Sequence, residues 1–90
     1  MIERTVTIVP EDGLHARPAS KFVETANKYD SEITVRPEGG DAVNAASMLA
    51  VTGLGAKSGD EVLLTADGPD EEEAIEAVAT VLTTPESEYE

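Results

Sequence analysis

The chain has 90 residues, enough for one small domain spanning 1–90 and no second core. It has no cysteine, which excludes a disulfide framework and a thiolate metal site, and its lone histidine excludes a histidine-rich metal cluster. With 19 Asp+Glu against 6 Lys+Arg its formal net charge is −13, which opposes binding to nucleic acid and to anionic membranes.

From Asp60 to the end there is no Lys, Arg or His. Two readings of the acidity are open: an acidic partner surface, or adaptation to high salt, where screening cancels self-repulsion. The spread of acids over the whole chain favours the second. No apolar run approaches membrane-spanning length, and Met1-Ile2-Glu3-Arg4 has no secretory pattern, so the expectation is a cytoplasmic protein without membrane insertion.

Ile2 to Val9 reads as a strand, with Ile2, Arg4, Val6 and Ile8 on one face and Thr5 and Thr7 on the other. Pro10-Glu11-Asp12-Gly13 is a loop. Ala16 to Lys28 reads as a helix whose apolar stripe is Ala16, Ala19, Phe22, Val23 and Ala26. Pro18 falls in its first turn, where a missing N–H costs no intrahelical bond. Glu32 to Arg36 is a second strand, Pro37-Glu38-Gly39-Gly40 a hairpin turn, and Asp41 to Ala45 a short third strand. Ser47 to Leu54 is a short helix with Ser47 as its N-cap and Met48, Leu49, Val51 and Leu54 as its apolar residues. Glu61 to Ala66 is the fourth strand. Gly68-Pro69 opens a last helix, with Asp70 to Glu73 in a first turn where the dipole favours acids, and Ala74, Ile75, Val78, Val81 and Leu82 as the buried stripe. Residues 85–90 read as a flexible acidic tail. The order βαββαβα predicts an α+β fold: a four-stranded antiparallel sheet with three helices packed on one face.

The string Gly13-Leu14-His15-Ala16-Arg17-Pro18-Ala19 places the only histidine beside an arginine at a helix start. A helix start gathers unpaired backbone N–H groups and partial positive charge. Histidine supplies a nucleophilic nitrogen at neutral pH, and arginine a fork of donors suited to phosphate oxygens. The backbone N–H groups of Ala16 and Arg17 are the phosphate-binding candidates, and His15 and Arg17 the catalytic ones. The acids Asp70 to Glu73 superficially suggest a metal site, but consecutive residues point around the helix axis, so they read as a solvated face. No metal or cofactor is expected.

This string and the order of elements together resemble the HPr family, the histidine-containing phosphocarriers of the phosphoenolpyruvate-dependent sugar phosphotransferase system. The resemblance runs from Thr5 to Leu82 and implies an open-faced sandwich. It implies that enzyme I phosphorylates His15 on Nδ1, that Arg17 is the catalytic arginine, and that an enzyme IIA domain receives the phosphoryl group. The protein would then be a monomeric carrier and not a free-standing enzyme. Val43-Asn44-Ala45-Ala46-Ser47-Met48-Leu49 falls where the family carries a regulatory serine, making Ser47 a phosphorylation candidate as well as a cap. Leu54-Gly55-Ala56-Lys57-Ser58-Gly59 is similar to the family's loop into the last strand. Met48, Leu49 and Leu54 are candidates for a partner-docking patch, with ordinary core packing as the alternative. The chain departs from the family at Ala46, where many relatives have lysine, at Thr52, where a methionine is usual, and in its acidity. Two other functions compete: a regulatory interaction protein that no longer carries phosphate, and a carrier serving a nitrogen-regulatory or dihydroxyacetone-kinase branch.

Overall fold

The computed structural model describes residues 1–11, 13 and 16–85. In chain order it contains β1 (Ile2–Thr7), α1 (Ala16–Ala26), β2 (Glu32–Pro37), β3 (Val43–Asn44), α2 (Met48–Thr52), β4 (Glu61–Asp67) and α3 (Glu71–Thr83). The strands form one sheet in the order β1-β4-β2-β3, and every neighbouring pair is antiparallel.

Register separates the two faces of this sheet. Val6 lies opposite Val62, Val35 opposite Leu64, and Ile33 opposite Ala66. Because strand side chains alternate, all six point the same way, and all six are buried. The helices cover this face with Ala19, Phe22 and Ala26 from α1, Val51 from α2, and Ala74, Ile75, Val78, Val81 and Leu82 from α3. The other face carries Glu3, Thr65 and Thr34 in one row and Thr5, Leu63 and Arg36 in the next, with the Thr34 and Thr65 hydroxyls hydrogen-bonded to each other. Among the described residues no helix lies over it, so the fold is the open-faced sandwich expected. Arg4 lies on the helix side, yet β1 is an edge strand, and the guanidinium reaches out to the Glu76 carboxylate on α3.

Several elements end earlier than their sequence patterns suggest, each for a visible reason. β1 stops at Thr7 because its partner begins at Glu61. Beyond that point the Ile8 N–H donates to the Asp60 carbonyl (2.9 Å), the Gly59 N–H to the Ile8 carbonyl (2.7 Å) and the Val9 N–H to the Leu82 carbonyl (2.8 Å). α1 ends at Ala26, not Lys28: the Lys28 N–H tightens onto the Thr25 carbonyl (3.1 Å), a three-residue step. The Asn27 amide donates to the Val23 and Ala46 carbonyls, tying the end of α1 to the approach to α2. β3 is confined to two residues. Directly after it, Asn44 Oδ1 accepts from the Ala46 N–H (2.9 Å), turning the chain. α2 ends at Thr52, and the chain passes through Gly55 at φ +68, a conformation that helices do not continue.

α3 begins at Glu71, one residue after the expected acidic run opens, because Asp70 is engaged elsewhere. Its carboxylate accepts from the Ser31 hydroxyl (2.5 Å) and the Asp30 N–H (2.9 Å), clamping the start of α3 to the turn before β2. These donors, Ser31 first, hold the Asp70 carboxyl below its ordinary value. The neighbouring Gly68 admits no side chain, since a Cβ there would sit 2.6 Å from the Ser31 Cα. Of the expected tail, 86–90 lie outside the described residues.

Candidate functional site

Among the described residues of 8–18, Ile8, Pro10, Gly13 and Pro18 are buried. Pro10 and Pro18 are both fully buried, one on each side. Gly13 is buried between them, and its N–H donates to the Pro10 carbonyl (2.9 Å). Gly13 adopts φ +65, and a methyl group there would lie 2.4 Å from the Ala56 carbonyl oxygen and 2.7 Å from the Lys57 Cα. Only glycine fits such an approach. The turn before the histidine therefore rests directly on the backbone between α2 and β4.

His15, the central residue of the sequence reading, lies outside the described residues, as do Asp12 and Leu14. α1 starts at Ala16, the next residue along the chain. Pro18 occupies the first turn, where it removes no intrahelical hydrogen bond. The Ala16 and Arg17 N–H groups fall in this turn, where the helix itself offers no acceptor, and Arg17 is exposed there.

The electrostatics of the helix ends differ sharply. α3 has Glu71, Glu72 and Glu73 in its first turn. The first turn of α1 has no acidic residue, in a chain with 19 of them. The positive end of the α1 dipole is therefore not offset by a carboxylate within its own first turn.

α2 packs beside α1 and leads through residues 53–57 to the Gly13 contact. Ser47 caps it in extended conformation (φ −103, ψ 112), its hydroxyl accepting from the Ala50 N–H at 3.3 Å. Of the four apolar residues read on this helix, only Val51 is buried. Leu49 is 85% exposed and Met48 41%, whereas Leu54 packs partly against the core. The docking candidates thus divide: Met48 and Leu49 present apolar surface, and Leu54 is shared with the interior. The Thr52 hydroxyl donates back to the Met48 carbonyl (2.8 Å), satisfying its polarity within the helix.

Sequence reasoning missed the contact of Gly13 with Lys57 and the Asp70–Ser31 clamp. The first left only a weak signal, two glycine-containing loops flanking strands that turn out to pair. The second had none, since Ser31 and Asp70 are 39 residues apart. Among the described residues no helix is long and apolar enough to cross a membrane.

A family model described as the PTS HPr component phosphorylation site matches residues 2–84. The chain is 60% identical over 87 residues to a phosphocarrier protein HPr of Haloferax volcanii, covering 96% of this chain and 98% of that protein. It is 46% identical over 82 residues to a phosphocarrier protein HPr of Streptomyces coelicolor, covering 91% and 88%. The crystal structure of HPr-C-His from Thermoanaerobacter tengcongensis superposes with a TM-score of 0.87 at 45% identity, covering 91% of each chain.

Proposed function

The chain belongs to the HPr family, the phosphocarriers of the phosphotransferase system, and on that premise we propose that His15 carries the phosphoryl group between enzyme I and an enzyme IIA domain. It is a carrier and not a free-standing enzyme. The observation that carries the site assignment is the carboxylate-free first turn of α1, directly after His15 in an otherwise acidic chain.

In the forward step the lone pair of the imidazole Nδ1 attacks phosphorus in line with the bond to the donor. That bond breaks, and its electron pair returns to the donor atom of enzyme I. The reverse sequence delivers the group to enzyme IIA. Little covalent chemistry falls to the protein, so positioning and charge stabilisation dominate. Arg17 and the N–H groups of Ala16 and Arg17 hold the phosphoryl oxygens. A helix-end interaction of this kind contributes about 0.3–1 kcal/mol, up to about 2 when partly buried. That modest scale suits a group that must be passed on. Met48 and Leu49 form the apolar part of the surface that meets both partners. We read the protein as a cytoplasmic monomer, one domain over 1–90, working at high salt, with no nucleic-acid partner.

The test is phosphoryl transfer from phosphoenolpyruvate through a matching enzyme I, at high salt, to the wild type and to His15→Ala. Acid-labile, alkali-stable label on the wild type alone is expected. Equal labelling of a folded His15→Ala would overturn the assignment.

A further inference from the structure

We propose that the Lys57 side chain supplies a second cation, beside Arg17, to the phosphoryl group carried at this site; the inference rests on the assignment of that group to His15.

The loop containing Lys57 is fixed against the segment that leads to His15. A Cβ on Gly13 would lie 2.7 Å from the Lys57 Cα, so the two backbones touch, and His15 follows Gly13 by two residues, at most about 7 Å of chain. Four further hydrogen bonds hold this arrangement. The Gly59 N–H donates to the Ile8 carbonyl (2.7 Å) and the Ser58 hydroxyl to the Val9 carbonyl (3.3 Å). The Lys57 N–H donates to the Asp60 carboxylate (3.0 Å), and the Asp60 N–H returns a bond to the Lys57 carbonyl (3.0 Å). Lys57 is thereby anchored at its backbone while its four-carbon stem stays free to reach.

Ala56 turns inward, only 3% exposed, and Lys57 turns to solvent. Among the described residues its ammonium has no ion-pair partner, although acids outnumber cations threefold in this chain. Arg4, by contrast, is paired with Glu76, and Arg36 sits on the open sheet face. A phosphoryl group brings about −1.5 to −2 charges at neutral pH, more than one guanidinium offsets. In a chain of net charge −13 the background field opposes that addition. At molar salt the screening length falls to about 3 Å, so only a cation close to the phosphoryl oxygens counts. Lys57 is held where it can be that cation.

The experiment compares wild type, Lys57→Gln, Lys57→Arg and His15→Ala in transfer from phospho-enzyme I, and follows the phosphoryl group of each labelled protein by phosphorus NMR across pH. Lys57→Gln is expected to slow phosphorylation about three- to eightfold and to raise the pH at which the phosphoryl group takes up its proton. Lys57→Arg should restore both. The NMR titration is a readout that a structural role for Lys57 would not move. Wild-type rate and wild-type titration in Lys57→Gln would overturn the proposal. Failure of the wild type itself to label, with enzyme I active, would instead overturn the His15 assignment and this proposal with it.

Discussion

Replacing Gly13 by alanine tests the frame on which the site stands. Two costs combine. A non-glycine residue at φ +65 costs about 1–2 kcal/mol. The added methyl would also lie 2.4 Å from the Ala56 carbonyl oxygen, a backbone atom that yields only if the loop shifts, and overpacking of that kind costs about 1–3 kcal/mol. Restricting the unfolded chain returns about 0.4–1 kcal/mol. The net is a loss of about 1–4.6 kcal/mol. Gly39 is the internal control. Its φ is +76, but a Cβ there meets nothing within 4 Å, so Gly39→Ala carries the conformational cost alone, about 0–1.6 kcal/mol net. At about 4–8 °C per kcal/mol for a domain of this size, the extra ~1–3 kcal/mol of overpacking should make Gly13→Ala melt at least about 4 °C below Gly39→Ala. The assay is thermal unfolding of all three proteins at one fixed high salt concentration. Equal melting temperatures for the two variants would refute the close approach of Gly13 to the Ala56–Lys57 backbone. Phosphoryl acceptance should fall with Gly13→Ala and hold with Gly39→Ala.

Ser47→Ala removes the hydroxyl that caps α2 and should lower stability by about 1 kcal/mol in chemical denaturation while leaving label uptake unchanged; an unchanged midpoint would remove the cap from the account. Asp70 bears on acid stability. Its carboxyl is held below its ordinary value of 3.8, chiefly by the Ser31 hydroxyl and then by the Asp30 N–H, so the folded state favours the ionised form. That contribution is fully present above the unfolded value and is lost as pH falls below about 4 through the lower folded value. Asp70→Asn should therefore be less stable than wild type near neutrality, the gap narrowing in acid; a gap independent of pH would contradict the clamp. The net charge of −13 predicts a melting temperature that rises with added potassium chloride, and a flat profile would rule out self-repulsion as a significant destabilising force.

The local patterns of the sequence determine much of this protein. The period-2 run of Val6 and Ile8, the stripe of Ala19, Phe22 and Ala26, and that of Ala74 to Leu82 each name a strand or helix and its buried face, because periodicity is a property of neighbouring residues. The histidine string and the Ser47 cap are legible for the same reason, since each is complete within a few residues. Tertiary structure alone decided the strand order β1-β4-β2-β3, the outward position of Met48 and Leu49 against the inward Val51, and the Asp70 clamp on Ser31. It also brought Lys57 against Gly13, across 44 residues of chain, and so suggested a cation for the site that the local motif does not contain. Such contacts depend on how separate elements stack, and no local spacing encodes that.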